Sequence, residues 1–505
     1  MNYERAAGII LHPTSLPGPY GIGDLGPQAH AWLEFVAKSG CKLWQILPLG
    51  PTGYGDSPYQ CFSAFAGNPY LVSPEALAQD GLLSASDLND LPDFPETHID
   101  FGRVIPWKLS LLDQAFIHFE RAANPAIQRD YTFFQEKHQD WLDDFALFMA
   151  LKEAHGGASW SMWEPPLREG HPEALALARR ELGEAIRLQV FRQFVFFRQW
   201  ESLHDHASRL GIQIIGDIPI FVAHDSSDVW SHPELFYLNK NGSPSVVAGV
   251  PPDYFSPTGQ RWGNPLYRWR VHRAGGYAWW LNRIRSTLDI VDIVRLDHFR
   301  GFAAYWEVPG NAKTAVKGRW VRGPGKNFFR VLQDSLGSLP VIAEDLGMIT
   351  PDVEELREHF NLPGMKIMQF SFAGNPNDPF LPHNYPKKCV VYTGTHDNDT
   401  ARGWYERVPE GERDFYRRYL DRSGDNVAWD LIRACWSSVA ALALAPMQDF
   451  LNLGNEARMN YPGDPSGNWT WRMPADALND ELQQRIKELN TLYGRHLKDS
   501  DQQGS

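Results

Sequence analysis

Four apolar segments of the chain end in carboxylates, and these side chains have the clearest potential for catalysis. The segments end at residues 215–217 (IGD), 294–298 (VRLDH), 341–345 (VIAED) and 395–399 (THDND). Enzymes built on α/β barrels carry their active sites at the carboxyl ends of the strands, so these carboxylates would meet at one barrel mouth. A pair of carboxylates there could cleave a glycosidic bond by nucleophilic and general acid catalysis.

Two of these carboxylates stand in sequence surroundings that favour opposite protonation states. Because side chains alternate along a strand, Arg295 and Asp297 share a face while Leu296 takes the other. A neighbouring guanidinium favours an ionised carboxylate, which is what a glycosyl nucleophile needs. Glu344 ends an apolar strand, where partial desolvation would favour the protonated form that suits a general acid. On neighbouring strands the two groups could reach the separation of about 5–5.5 Å used in retaining glycoside chemistry.

Other interpretations of these residues stay open at this point. A single Asp at a strand end is more often a helix N-cap or loop anchor than a catalytic group, although one barrel mouth rarely needs four such charges for stability. A metal site at residues 396–399 lacks an HExxH motif or regular His spacing. The glycine-rich segments 53–55 and 323–326 lack the phosphate-binding GxxxxGK[ST] pattern, and the chain contains no GxSxG nucleophile elbow.

Eight short apolar segments predict the strands that would position the carboxylates. They span residues 7–12, 42–49, 212–222, 290–299, 339–347, 365–370, 389–399 and 443–452. Helical patterns such as 28–39 and 352–359 lie between most of them, and alternating strands and helices favour a parallel sheet. Eight strands favour a closed (β/α)8 TIM barrel over an open sheet.

Two gaps between predicted strands are too long for simple βα loops. Residues of about 65–200 carry mostly helical patterns and predict an inserted helical subdomain. Residues of about 223–285 are rich in Pro, Gly and Trp with little periodicity, and predict an inserted loop subdomain. We therefore expect one catalytic barrel over residues 1–505, with both insertions over its C-terminal face.

Composition narrows the classes of partner. The chain has 505 residues, 48 Lys and Arg, 61 Asp and Glu, and a net charge of −13. This acidic balance argues against a nucleic-acid or anionic-membrane partner.

The apolar runs are too short for a membrane helix, and the four widely spaced cysteines favour buried free thiols. We expect a cytoplasmic protein; the sequence does not fix its oligomeric state, and a monomer is slightly favoured. The 19 Trp, 18 Tyr and 28 Phe suit a neutral, polyhydroxylated substrate.

Ten short motifs occur in a set order along nearly the whole chain. They lie at residues 8–17 (GIILHPTSLP), 21–26 (GIGDLG), 45–51 (QILPLGP), 56–60 (DSPYQ), 216–219 (GDIP), 249–253 (GVPPD), 259–265 (GQRWGNP), 295–300 (RLDHFR), 343–347 (AEDLG) and 394–400 (GTHDNDT). Together they resemble the amylomaltase or disproportionating-enzyme family, the 4-α-glucanotransferases of glycoside hydrolase family 77. The resemblance implies a TIM barrel related to that of the α-amylases.

The resemblance also implies roles for individual residues. Asp297 corresponds to the nucleophile, Glu344 to the general acid and base, and Asp397 to a third carboxylate that grips the 2- and 3-hydroxyls of the sugar. Arg295 and His396 correspond to neighbours that hold charge and hydroxyls in place. It implies further substrate contacts at Ser57, Tyr59, Asp217 and Asp253, and a loop with Gln260 and Trp262 that overhangs the cleft. Residues 454–471 resemble a second flap of the family. We also expect Tyr54, Tyr461 and Trp469, on loops near the strand-end carboxylates, to contact the substrate.

The functional hypothesis is therefore double displacement on an α-1,4-glucan, with transfer of a glucan segment to the 4-hydroxyl of glucose or another glucan. Cyclic products are a possible outcome of this disproportionation. An amylase-like hydrolase is the main alternative, because the same carboxylates serve both reactions. A non-catalytic glucan-binding protein is disfavoured, since it would not need all three carboxylates. The sequence implies no metal and no organic cofactor.

Overall fold

A computed structural model describes residues 4–122, 124–252, 256–464 and 466–496, so Asp253 lies outside the described residues. Twelve strands occur in this part of the chain. In chain order they are β1 (Ala6–Ile10), β2 (Leu43–Gln45), β3 (Gln213–Ile218), β4 (Val246–Val250), β5 (Gln260–Pro265), β6 (Ile293–Leu296), β7 (Ala304–Pro309), β8 (Arg319–Arg322), β9 (Val341–Ala343), β10 (Gly364–Ile367), β11 (Cys389–Tyr392) and β12 (Leu442–Pro446).

Eight of these strands form a parallel sheet in the order β10-β11-β12-β1-β2-β3-β6-β9. The two end strands come together, because the amide of Ala343 donates to the carbonyl of Pro363 at 2.9 Å. The sheet is thus a nearly closed (β/α)8 barrel, which confirms the predicted fold class. Each of the eight predicted segments overlaps one barrel strand, but the strands are shorter because the segments continue into loops at the barrel mouth.

Alternation along the strands separates the barrel interior from the helix-facing surface. Ile215, Ile293 and Ile342 belong to a cluster inside the barrel, whereas Val294 and Leu296 pack in the larger core that includes the surrounding helices. The inward face of β6 therefore continues from Ile293 to Arg295 and on towards Asp297. The spacing of Arg295 and Asp297 predicts this common orientation of their side chains.

Helices fill most of the remaining described chain. They are α1 (Pro27–Lys38), α2 (Pro74–Gln79), α3 (Phe101–Ala122), α4 (Pro125–Lys137), α5 (Gln139–Ala154), α6 (Pro165–Arg168), α7 (Pro172–Glu181), α8 (Gly183–Arg209), α9 (Ser227–Ser231), α10 (Trp269–Ala274), α11 (Ala278–Leu288), α12 (Gly325–Leu336), α13 (Pro351–His359), α14 (Ala401–Arg407), α15 (Glu410–Leu420), α16 (Val427–Ser437), α17 (Met447–Phe450) and α18 (Asp480–Leu492). Within the described ranges, none is both long and apolar enough to cross a membrane.

Helix α8 ties the segment that leaves the barrel after β2 to the helical region. The amide of Gln193 exchanges hydrogen bonds of 2.7 and 2.9 Å with the backbone of Gly67, and that of Gln199 does the same with Ser73 at 2.7 and 3.2 Å. Both glutamines are buried. A buried backbone group needs such a partner, because an unpaired one would carry its full desolvation cost.

A second sheet lies in the region predicted as an inserted loop. It is antiparallel, with the order β5-β4-β7-β8, so its outer half comes from residues 304–322, beyond the predicted boundary. The sequence analysis missed this sheet. Strand β5 reads QRWGNP, and the Gly, Asn and Pro within it hide the alternation by which a strand is normally recognised.

A buried ion pair joins α3 to the start of the barrel. Nζ of Lys108 lies 3.2 Å from Oδ2 of Asp24, with side chains 2% and 6% exposed, and donates to the carbonyl of Val72 at 2.7 Å. Oδ1 of Asp24 accepts from the amide of Gly26, next to α1. Removing one partner of such a pair leaves an uncompensated buried charge.

We expect Lys108→Met to lower the free energy of unfolding by about 3 to 5 kcal/mol, because Asp24 would stay buried without its cation. Adding Asp24→Asn should recover part of this loss. Chemical denaturation followed by circular dichroism measures both effects. Lys38→Met is the control, since Lys38 forms an exposed pair with Glu34 at 3.8 Å and should change stability by less than about 1 kcal/mol. A loss for Lys108→Met no larger than that control would contradict the expectation.

Candidate active site

Arg295 lies at the centre of the charged groups at the barrel mouth. Its Nη1 contacts Oδ2 of Asp217 at 2.5 Å, and its Nη2 contacts Oδ1 of Asp297 at 2.9 Å. The same Oδ2 of Asp217 accepts a hydrogen bond of 2.7 Å from the hydroxyl of Tyr59. Asp297 remains 28% exposed, whereas the side chain of Asp217 is fully buried. Arg295 thus pairs with the buried carboxylate of Asp217 and also holds the carboxylate of Asp297, which is open to the cleft.

Glu344 follows β9, beside the end of β6. Its Oε2 accepts from the amide of His298 at 2.7 Å, and its Oε1 accepts from the amide of Leu346 at 2.9 Å. His298 has the left-handed φ of 50°, which is uncommon outside glycine. Burial, reinforced by the charge of Asp297, raises the pKa of Glu344 to about 8. At neutral pH this carboxyl group therefore holds a proton.

Asp397 lies in the loop between β11 and α14, and its surroundings favour the ionised form, in contrast to those of Glu344. Its Oδ2 lies 3.3 Å from Nε2 of His396, and its Oδ1 accepts from Nδ2 of Asn460 at 2.6 Å. Burial alone would raise its pKa. His396 and the hydrogen bonds from His396 and Asn460 outweigh burial and lower the pKa of Asp397 well below its usual range. Arg458 donates to the carbonyl oxygen of Asp397 at 2.7 Å.

Asp449 clamps the two ends of the loop that carries His396 and Asp397. One of its carboxylate oxygens accepts from Oγ1 of Thr393 at 2.6 Å, and the other accepts from the amide of Ala401 at 2.7 Å. Asp449 is 1% exposed. A fully buried acceptor with two satisfied donors holds such a loop in one geometry.

Three rings from distant parts of the chain form one wall of the cleft. Tyr59 stacks on His396 with centroids 5.0 Å apart, and Trp469 lies 5.8 Å from Tyr59 and 5.9 Å from His396. The cleft itself has a volume of about 580 Å³, and Asp297 and Asp397 also line it. This volume lies within the range of about 300–1,000 Å³ typical of small-molecule sites.

Residues of β5 and of the segment 53–57 also line the cleft. Trp262 sits edge-on to His298 with centroids 4.8 Å apart, and its indole N–H donates to Oε1 of Gln260 at 3.1 Å. Tyr54 is 76% exposed, and Ser57 lies beside it on the same rim. An exposed tyrosine ring at a cleft rim is free to stack on a ligand.

The structure gives two of the predicted contact residues a different position. Asp217 is fully buried against Arg295 and Tyr59, so it supports the site from behind the cleft wall. The hydroxyl of Tyr461 donates to Oδ1 of Asn455 at 2.8 Å, and the ring lies under Arg458, so the side chain turns away from the cleft. Asp253 lies outside the described residues.

Two further carboxylates at strand ends anchor the backbone. Asp345 accepts from the amide of Met365 at 2.7 Å and pairs with Arg357 at 3.2 Å, which links β9 to β10. Asp399 accepts from Asn455 at 2.9 Å and pairs closely with Arg407. The anchoring role that is common for a strand-end Asp therefore applies to these two residues.

Sequence reasoning missed Asn460, Arg458 and Asp449. Asn460 and Arg458 lie in the 454–471 segment, which resembles a family flap, but nothing in one sequence distinguishes them from ordinary loop residues. Asp449 follows the apolar strand β12, and this is the same signal that identified the other strand-end carboxylates. Of the described residues, no group of three or more His, Cys, Asp or Glu is placed to hold a metal ion.

The fold and the site together define a barrel enzyme of the glycoside hydrolase class. The family model described as glycoside hydrolase 77, 4-alpha-glucanotransferase, matches residues 11–478, and the chain belongs to this family. A 4-alpha-glucanotransferase of Thermus thermophilus is 52% identical over 97% of this chain and 99% of its own length. One of Synechocystis is 48% identical over 99% of both. The solved amylomaltase of Streptococcus agalactiae in complex with acarbose has a TM-score of 0.95 and 38% identity, covering 98% of this chain and all of that one.

We expect Asp297→Asn to lower the pKa of Glu344, because the substitution removes a neighbouring negative charge. Burial would still hold this pKa above the ordinary glutamate value of about 4.3. Infrared difference spectra against Glu344→Gln isolate the carboxyl band, which in the unsubstituted protein should disappear as the pH rises through about 8. A band that titrates near pH 4, or one that Asp297→Asn leaves in place, would contradict the assigned electrostatics.

Proposed function

We propose that the protein is a 4-α-glucanotransferase that moves a segment of one α-1,4-glucan to the 4-hydroxyl of glucose or another glucan. The observation that carries this proposal is a buried Glu344, whose pKa burial raises to about 8, close to Asp297, which Arg295 contacts at 2.9 Å. Membership of the glycoside hydrolase 77 family supports the choice of reaction and substrate. Glucans and malto-oligosaccharides are thus the expected partners.

In the first half-reaction, the carboxylate of Asp297 attacks the anomeric carbon while Glu344 gives its proton to the glycosidic oxygen. The bond between the anomeric carbon and the glycosidic oxygen breaks, and the reducing-end fragment leaves as an alcohol. The donor segment stays bound to Asp297 as an ester. Arg295 contacts Oδ1 of Asp297 at 2.9 Å and holds this carboxylate in place for the attack. Because Glu344 must be protonated, this step should slow as the pH rises through about 8.

In the second half-reaction, the 4-hydroxyl of an acceptor sugar attacks the same carbon and gives its proton to Glu344. The ester bond breaks and Asp297 is restored as a carboxylate. Two inversions at one carbon keep the α configuration. Asp397 would accept hydrogen bonds from the 2- and 3-hydroxyls of the donor sugar, a role that its ionised state suits.

Acceptor binding separates transfer from hydrolysis, because water could replace the sugar hydroxyl at the second step. Rings that stack on sugars favour the sugar acceptor by holding it in place and excluding water. Tyr54, Trp262 and Trp469 all line the cleft and are placed for this role. Gln260 and Ser57 supply polar groups beside them, and His396 supplies one next to Asp397.

We also propose that the enzyme works in the cytoplasm as a monomer. All four cysteines are free, and Cys41, Cys389 and Cys435 are buried. Free thiols suit a reducing compartment. Asp253 remains a proposed substrate contact on the resemblance alone.

Purified protein supplied with maltotriose should release glucose and form a ladder of longer glucans. The total concentration of reducing ends should stay constant, because each transfer consumes one glycosidic bond and forms another. Chromatography of chain lengths and a reducing-end assay measure the two quantities. A steady rise in reducing ends would overturn the transfer proposal in favour of an amylase-like hydrolase.

Asp297→Asn and Glu344→Gln should each lower kcat by at least about 10³-fold, because one removes the nucleophile and the other the transferable proton. Thermal unfolding should show that both variants remain folded. Asp334→Asn and Glu358→Gln are matched controls, since they make the same chemical changes at exposed positions and should keep near-full activity. Near-normal turnover in either active-site variant would reject the role of that residue.

A further inference from the structure

A second cavity, with a volume of about 470 Å³, opens between α5 and α11. We call it the side cavity. Its walls include Asp140, Trp141, Asp144, Asn282, Arg285 and Asp289. No described residue lines both the side cavity and the active-site cleft. Its volume is in the range of small-molecule sites, yet the proposed reaction makes no use of it.

Aromatic rings form the base of the side cavity. Phe65 and Trp141 are nearly parallel, with centroids 6.3 Å apart and planes 13° apart. Trp279 stands perpendicular to Phe65 at 5.9 Å. All three residues line the cavity. Trp141 and Trp279 are only 8% and 9% exposed, so the partly exposed Phe65 contributes most of the aromatic surface on which the C–H face of a sugar could pack.

Two helix faces form the polar sides. Lys137 at the end of α4 and Asp140 and Asp144 on α5 face the cavity from one side. Asn282, Arg285 and Asp289 are spaced three or four residues apart along α11 and its end, so they lie on one helix face on the other side.

Some of these polar groups are free to bind a ligand. Across the ranges that the structure describes, the carboxylates of Asp140 and Asp289 make no hydrogen bond or ion pair with another side chain, and both residues are exposed. Arg285 makes one long contact of 3.4 Å with Asn282. Unsatisfied donors and acceptors therefore face each other across an aromatic base.

The charge of the lining selects the class of ligand. Lys137 and Asp144 are already paired with Glu201 at 3.1 Å and with Arg179 at 3.7 Å. Of the remaining charges, Asp140 and Asp289 would repel an anionic ligand and Arg285 would repel a cationic one. A neutral polyhydroxylated ligand meets neither penalty, because each hydroxyl donates to a carboxylate and accepts from a cation. Stacked rings with mixed charges around them are thus the lining that suits an uncharged sugar.

We propose that the side cavity is an accessory binding site for a malto-oligosaccharide segment of a long α-1,4-glucan. The choice of this sugar over other neutral sugars rests on the proposed function. The segment that lines the cleft at Tyr59 continues to Phe65 in the side cavity, and the one that lines it at Asp225 continues to Asp228. A chain held at the side cavity raises the effective concentration of its other parts near the cleft.

Binding is best measured in Glu344→Gln, where turnover does not consume the ligand. We expect isothermal titration with maltoheptaose to show two binding sites per chain. Adding Asp140→Ala and Asp289→Ala should weaken one of them at least tenfold. Adding Asp143→Ala and Asp334→Ala instead is the matched control, because it removes two exposed carboxylates outside the cavity, and it should retain both sites. A single site in Glu344→Gln, or two unaffected sites in the cavity variant, would overturn the proposal.

Kinetics in the active enzyme give a second measurement. Asp140→Ala with Asp289→Ala should lower the ratio of kcat/KM on long amylose to kcat/KM on maltotriose several-fold, through a higher KM for amylose. Ala278→Trp should do the same by filling the cavity, since Ala278 is exposed on its wall. An unchanged ratio in both variants would overturn the accessory site. Transfer on maltotriose is scored separately, so loss of the accessory site and failure of the transferase assignment give different results.

Discussion

The buried guanidinium of Arg295 is the group on which the rest of the site depends. An isolated charge inside a barrel would be strongly unfavourable, and it is tolerated because Asp217 lies at 2.5 Å and Asp297 at 2.9 Å. Asp217 is fully buried behind the guanidinium, whereas Asp297 is 28% exposed, so Asp297 is the carboxylate of the pair that a ligand in the cleft can reach. Tyr59 completes the arrangement by donating to Asp217.

Glu344 and Asp397 have opposite protonation states although each accepts two hydrogen bonds and burial opposes the ionisation of each. Both accept two hydrogen bonds that favour ionisation, and burial opposes ionisation in both. For Glu344 the hydrogen-bond donors are neutral amides and the charge of Asp297 adds repulsion, so the effect of burial dominates and the protonated form is favoured. For Asp397, His396 adds to the hydrogen bond from Asn460, so the ionised form wins. One barrel mouth can therefore hold, at the same pH, a protonated carboxyl group that can donate a proton and an ionised carboxylate that can accept hydrogen bonds.

The sequence predicted the features that depend on local periodicity. The eight barrel strands and the common face of Arg295 and Asp297 follow from apolar runs and from alternation. Features that depend on long-range pairing were out of reach. Asn460 reaches Asp397 across 63 residues and Asp217 reaches Arg295 across 78. The burial of Asp217 could not be foreseen, because its residue type and strand-end position suit a cleft contact equally well. The second sheet was missed since its strands pair across residues 246–322 and two of them, β4 and β5, carry an internal Gly.

The cleft wall and the charged groups form one connected unit. Tyr59 stacks on His396 and contacts Trp469 with its ring, while its hydroxyl binds Asp217. The segment that supplies Trp469 also supplies Asn460, which orients Asp397. Displacing residues 460–469 would thus remove part of the stacking surface and one ligand of Asp397 together. Under the proposed function, a sugar stacked against this wall would stabilise the geometry of the carboxylates, whereas a water molecule, which cannot stack, would not. This difference would favour a sugar over water as the acceptor, because the same contacts that hold the acceptor would also complete the site.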